Sequence, residues 1–166
     1  METYTTKVAA IIIAYHPDLA NLKRNVQRIF DSVDYLIIWR NSYDDLSLIN
    51  EISDNILFLG DGTNQYIAHP LNVALDWCVS NNINYLLTMD QDSTWEDCTR
   101  FLHYALSLKI DNVGIFAPRI NTIKSFHKGE YEDIETTITS GSLVNVKIAK
   151  KVAGFNEKYQ IYWVDG

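Results

Sequence analysis

Short apolar runs alternate with amphipathic stretches along most of this chain. KVAAIIIAY at 7–15, YLIIW at 35–39, ILFL at 56–59, YLLTM at 85–89 and VGIFAP at 113–118 are too short for helices and read as strands. The first is nearly continuous in apolar residues, the pattern of a strand buried on both faces. Between them the spacing changes to the helical period. Leu19, Leu22, Val26, Ile29 and Phe30 form one apolar stripe, opened by Pro17 and by Asp18 at the positive end of the helix dipole. Residues 66–79 show Ile67, Leu71, Ala74, Leu75 and Cys78 on a helical face, with Pro70 in the first turn or at a kink. Ser93 with Glu96 has the spacing of a capping box, which predicts a helix from Ser93 that turns Cys98, Phe101, Leu102, Ala105 and Leu108 inward. A short helix is expected over 46–52, a strand over 136–146, and a short helix from 146 closed by Gly154. Residues 121–133 are charged and aperiodic, the pattern of a loop.

Strand–helix alternation over the first 110 residues predicts right-handed crossovers and a largely parallel sheet with helices on both faces. Such sheets bind ligands outside the carboxyl ends of their strands. Tyr15, Arg40, Asn41, Gly60, Asp61, Asp90 and Asp92 all fall at those ends. The last two belong to LLTMDQDSTW, where an apolar run stops at two carboxylates one residue apart. If the extended backbone continues, Asp90 and Asp92 point the same way and Gln91 the other. Carboxylates that close stay ionised cheaply only with a cation or several donors between them. A solvated turn leading into a helix is the plainer reading of the same three residues.

The remaining bulk properties narrow the choice. A chain of 166 residues is about one domain long by the usual prior, and 47% hydrophobic content suits a globular protein. A formal net charge of −7 argues against nucleic acid and against a polybasic membrane contact, though not against phosphates held through a metal. Cys78 and Cys98, with no CxxC, fit small buried hydrophobes in a reducing, cytoplasmic compartment. No apolar run approaches the length of a membrane span, and the first has no cleavage pattern. Neither a P-loop nor GxGxxG occurs. His16, His69, His103 and His127 have no metal-ligand spacing and read as structural.

Five blocks, AAIIIAYHPD (9–18), NQYIAHPLNVAL (64–75), TMDQDS (88–93), ITSGSLV (138–144) and VAGFNEKYQIYWVDG (152–166), resemble family 2 glycosyltransferases. Within them the chain looks most like bacterial rhamnosyltransferases. The resemblance implies a GT-A, Rossmann-like three-layer α/β/α sandwich with a mostly parallel central sheet. It implies one domain over 1–166, with a nucleotide-sugar-binding part over about 5–120 and the start of an acceptor part over about 121–166. The implied reaction is inverting transfer of a hexosyl group, rhamnose from dTDP-rhamnose being the specific candidate. The partners are a nucleotide-sugar donor and a cell-surface saccharide or lipid-linked acceptor, met in the cytoplasm or at the inner face of the plasma membrane.

By the same resemblance Asp92 ligates Mg2+ or Mn2+, and Asp90 contacts the ribose or the metal through water. Such ions take oxygen ligands, one or two carboxylates plus substrate phosphates, and offset charge on the departing diphosphate. Asp165 is the implied base that takes the acceptor's proton, with an ordinary surface carboxylate as the alternative. Tyr15 and Pro17 line the nucleoside pocket, Asn64, Ile67, Ala68 and Asn72 pass beside the nucleotide, and Ser140, Gly141 and Ser142 border the sugar. Arg40 stands where the family commonly carries an acidic residue for the base or ribose. HPLN at 69–72 is an unusual helix opening, and the chain stops one residue past Asp165, where the family continues. That ending raises the expectation of a truncated gene product, and with it a nucleotide-binding fragment lacking a complete acceptor site as the alternative function. Peripheral membrane association would then belong to a C-terminal region beyond Gly166. A nucleotidyltransferase of similar sheet would carry a glycine-rich signature after the first strand, which AYHPD lacks.

Overall fold

The computed structural model describes residues 6–110, 112–119 and 131–159. In chain order the elements are β1 (Val8–Ala14), α1 (Leu19–Phe30), β2 (Tyr35–Arg40), α2 (Ser47–Asn50), β3 (Ile56–Leu59), α3 (Ala68–Ser80), β4 (Tyr85–Asp90), α4 (Cys98–Ser107), β5 (Ile115–Phe116), β6 (Ser142–Asn145) and α5 (Val146–Lys151). They build one sheet in the order β3-β2-β1-β4-β6-β5. β1 pairs in parallel with β2 and β4, and β2 with β3, while β6 runs antiparallel to both β4 and β5.

The continuous apolar strands follow from coverage on both faces. Ala10, Ile12, Leu36, Ile38, Leu87 and Met89 pack with Leu22, Val26 and Ile29 of α1, Ile49 of α2, and Cys98, Leu102 and Ala105 of α4. The alternate residues Ala9, Ile11, Ile37, Trp39, Leu86 and Val144 pack with Leu71, Ala74, Leu75 and Cys78 of α3 and Ala149 of α5. The result is a three-layer α/β/α sandwich.

Three elements depart from the expected bounds, each for a local reason. α4 begins at Cys98, not Ser93, because Asp97 caps it by accepting the Arg100 N–H at 2.9 Å. Arg28 of α1 meanwhile holds Thr94 Oγ1 at 2.7 Å, keeping that turn outside the helix. The strand expected over 136–146 forms only from Ser142, since a turn from Thr139 to Ser142 precedes it. β5 is two residues rather than the six of VGIFAP, which ends in a proline with no N–H to give a ladder. Pro70 occupies the first turn of α3, where its missing N–H costs nothing.

Both cysteines lie in the core, and burial pushes the Cys78 thiol up to about 12 and Cys98 to about 11. Thiol reagent at pH 8 should therefore modify neither in the native protein and both after denaturation. Because these thiols ionise more readily once unfolded, the fold should also weaken as pH rises above about 9. Stoichiometric labelling of the native protein within minutes would contradict this burial.

Candidate functional site

From the middle of the sheet the chain winds outward in two directions. β2 and β3 lie on one side of β1, and β6 and β5 lie beyond β4. Crevices open at such reversals, outside the carboxyl ends of the two central strands. β4 is buried through Met89 and emerges at Asp90, which pairs in register with Ile13. There the strand stops: the Ser93 N–H donates to Asp90 O at 3.3 Å, closing a turn over Gln91 and Asp92. The extended alternation expected to align the two carboxylates does not continue past Asp90, because this turn replaces it. Both aspartates are exposed.

Gln91, a mere spacer in the sequence pattern, is the residue that anchors the turn. Its Oε1 accepts the Tyr15 N–H at 2.8 Å, and its Nε2 donates to Tyr15 O at 3.0 Å. The carboxamide thus substitutes for one more rung between β1 and β4. Asn25 of α1, only 6% exposed, donates its Nδ2 to Gln91 O at 3.0 Å. The signal for it was legible, since Asn25 lies on the apolar face of α1 beside Leu22, Val26 and Ile29. A buried amide there needs a partner.

The turn before β6 supplies the opposite wall. The Asp90 N–H donates to Ser140 Oγ at 3.1 Å, and the Gly141 N–H donates to Thr88 O at 2.7 Å. Thr88, 1% exposed, donates its hydroxyl to Thr139 O at 2.5 Å, and Ser142 Oγ donates to Ile138 O at 2.6 Å. Trp95 fills the space behind. Its Nε1 points at Met89 Sδ at 2.9 Å, and its ring stacks on Phe101 with centroids 4.8 Å apart. Ser140 and Gly141 are therefore fastened to the end of β4, at Asp90 and Thr88.

Across the crevice, Tyr15 is 46% exposed and Pro17 is half-buried. His16 takes a positive φ of 45°, with its N–H on Ser42 Oγ at 2.8 Å and its Nδ1 3.4 Å from Asp44 Oδ2. The Ser42 hydroxyl also donates to Asp44, and this bond, with the nearby His16, holds that carboxyl below its usual range. Arg40 is exposed at the end of β2, level with Ala14. Asp61 is held low mainly by the Thr63 backbone N–H, with Arg40 a smaller contributor. Asn41, 4% exposed, clamps the following loop: its Nδ2 donates to Asn64 Oδ1 at 3.1 Å and Tyr66 O at 3.0 Å, and its Oδ1 accepts the Gln65 N–H at 2.7 Å.

The resemblance sets Ala68 and Asn72 beside the nucleotide, and here the structure gives their side chains other neighbours. Ala68 is 2% exposed, packed in the α3-side core with Trp39. The Asn72 carboxamide is occupied by the chain at Phe155 and Glu157. Asp165 lies outside the described residues.

Among the described residues no group of three or more His, Cys, Asp or Glu side chains gathers to hold a metal ion. Asp90 and Asp92 would by themselves offer a cation at most two carboxylates. That set fits a hard divalent cation whose remaining ligands are phosphate oxygens and water, and does not fit a cation caged by protein alone. A cleft of about 600 Å³ lies off to one side, between α4, β5 and residues 131–137. Neither aspartate lines it, and Pro118 separates it from Gly141.

No protein-family profile matches the chain, and no curated protein is similar to it in sequence. Solved structures do resemble it. A mannosyltransferase from Pyrobaculum calidifontis, solved with GDP-mannose and Mn2+, superposes with a TM-score of 0.64 at 16% identity, over 93% of this chain and 49% of that one. TarS 1–349 from S. aureus, solved with UDP, gives 0.61 at 15% identity over 93% and 52%. The 4-diphosphocytidyl-2C-methyl-D-erythritol synthase of Anaerococcus prevotii gives 0.59 at 16% identity over 96% and 79%. The chain spans about half the length of the two glycosyltransferase structures. Its fold is the GT-A, Rossmann-like α/β fold that these glycosyltransferases and nucleotidyltransferases share.

Proposed function

We propose that this chain is the donor-binding part of a metal-dependent, inverting glycosyltransferase that transfers a hexosyl group from a nucleotide sugar. The observation that carries the reading is the Asp90–Gln91–Asp92 turn, fastened to Tyr15 on one side and Ser140 on the other at the central crevice. Asp92 holds the cation, and Asp90 contacts the ribose or the ion through water. When bound, the cation, Mg2+ or Mn2+, offsets the charge that accumulates on the leaving diphosphate. Tyr15, Pro17, Arg40 and Asn64 receive the nucleoside, and Ser140 and Gly141 border the sugar.

Inversion results if the acceptor hydroxyl oxygen attacks the anomeric carbon from the face opposite the diphosphate. The bond to the diphosphate breaks as the new glycosidic bond forms, and the hydroxyl proton passes to Asp165. Rhamnose from a dTDP donor, and a saccharide or lipid-linked acceptor at the inner face of the membrane, complete the reading on the residue resemblance. Among the described residues no helix is long and apolar enough to cross a membrane.

A nucleotidyltransferase would use the same sheet, but AYHPD offers no glycine-rich phosphate loop after β1. The second reading is a nucleotide-binding fragment without transfer. Calorimetric titration of dTDP, UDP and GDP with Mn2+, and again with EDTA, tests both. One nucleotide should bind only with metal, and an enzyme should also release nucleotide diphosphate from its sugar donor. Binding without release identifies the fragment. No binding of any of the three removes the donor site.

A further inference from the structure

We infer that Asn72 is a positioning residue, whose carboxamide fastens the chain at Phe155–Glu157 to the first turns of α3 and so fixes where the stretch running on to Asp165 departs. The bonding is complete in both directions. Asn72 Oδ1 accepts the Phe155 N–H at 2.8 Å, while Nδ2 donates to Phe155 O at 2.9 Å and to Glu157 Oε1 at 2.9 Å. Both amide hydrogens and the oxygen are thereby engaged, which leaves little with which to recognise a nucleotide.

The surrounding contacts point the same way. Phe155, 9% exposed, belongs to the core beneath α3. Gly154 has a φ of +74°, and a Cβ there would collide with Asn72 Oδ1, so the glycine permits the close approach. His69, Asn72 and Asp76 lie at i, i+3 and i+7, one stripe along α3. They face Glu157, Phe155 and Lys150 in reverse order, through His69 Nδ1–Glu157 at 3.4 Å and Lys150 Nζ–Asp76 at 2.5 Å. The two outer pairs are largely exposed, and such ion pairs contribute little. Asn72, half-buried and bonded to main chain, is the member that sets register.

The catalytic consequence rests on the transferase reading, in which Asp165 takes the acceptor's proton, but the tie itself does not. Asn72→Ala should leave metal-dependent nucleotide affinity within twofold and speed amide exchange at Phe155 at least tenfold. It should also lower kcat for nucleotide diphosphate release at least tenfold with the donor KM unchanged. Asn72→Asp keeps an acceptor for the Phe155 N–H but no donor, and should fall between the two. A tenfold loss of nucleotide affinity with Phe155 protection intact would make Asn72 a ligand contact and overturn the proposal. Unsubstituted chain that binds nucleotide but turns nothing over would also remove the catalytic role. Unsubstituted chain that binds no nucleotide would instead sink the transferase reading, while the exchange measurement, which needs no ligand, still decides whether Asn72 holds Phe155.

Discussion

Asp92→Ala is expected to weaken metal-dependent nucleotide binding by at least about 100-fold, because residues that merely support metal ligands already cost about 10- to 100-fold when removed. On the proposed reading the cation meets only two carboxylates, and among the described residues no group of three His, Cys, Asp or Glu gathers to take over. Loss of one should leave a cation held chiefly by the ligand's own phosphates. The substitution should not harm the fold. Asp92 is exposed, and the bonds that fasten its turn run through Gln91, Asn25 and Ser140. Removing one of two neighbouring negative charges also relieves their repulsion. Titration of nucleotide with Mn2+, paired with a thermal melt, separates the two effects. An unchanged affinity would remove Asp92 as a ligand, whereas a lowered melting temperature would assign it a structural role.

Gly141→Val should destabilise the protein by about 2–4 kcal/mol, combining a strained backbone with overpacking. The residue has a φ of +81°, in the left-handed region that a β-branched side chain avoids. Its added Cβ would sit 3.1 Å from Pro118 Cγ and 3.3 Å from Trp95 Cζ2. Neither neighbour yields freely. Trp95 is held by Met89 and by its stack on Phe101, and proline is rigid. At this chain length the loss corresponds to a melting temperature lower by roughly 5–15 °C. Nucleotide binding should suffer as well, since the same turn presents Ser140 to the Asp90 N–H. A variant melting within about 2 °C of the parent would mean the turn relaxes at little cost, and the close packing described around Trp95 would be wrong.

The strands were readable as short apolar runs, and the inner place of β1 because burial on both faces forces a continuous one. ILFL at 56–59 and the bounds of β1, β2 and β4 fall within a residue or so of expectation. The inward faces of α1 and α3 were readable for the same reason, as apolar periodicity reports burial directly. Helix starts were less legible. Ser93 and Asp97 both offer a cap, and the choice of Asp97 depends on Arg28 reaching Thr94 from α1, a contact between residues 66 apart in the chain. The site shows the same division. Asp90, Ser140 and Gly141 do come together, but alternation along the strand was the wrong reason to expect a paired geometry for Asp90 and Asp92. Gln91 bonds to Tyr15, and that partner lies just past the end of β1, in a segment that no local pattern names. Asn72 fits the family block by position, yet its carboxamide serves main chain more than eighty residues away.

The reversal of β6 has a consequence for how the crevice comes into being. Ser140 sits in the turn that leads into β6, which pairs with β4, and the Asp90–Ser140 bond spans 50 residues. Pairing β1 with β4 spans more residues still, Val8 lying opposite Tyr85, so loop length does not order the two steps; but β1 to β4 all precede β6 in the chain and can assemble while the far wall is still missing. During synthesis the acidic turn leaves the ribosome well before the segment that completes it. Ligand affinity should therefore be gained late in synthesis, only once the turn that carries Ser140 has left the ribosome, and ribosome-bound chains stopped before residue 138 should bind no nucleotide.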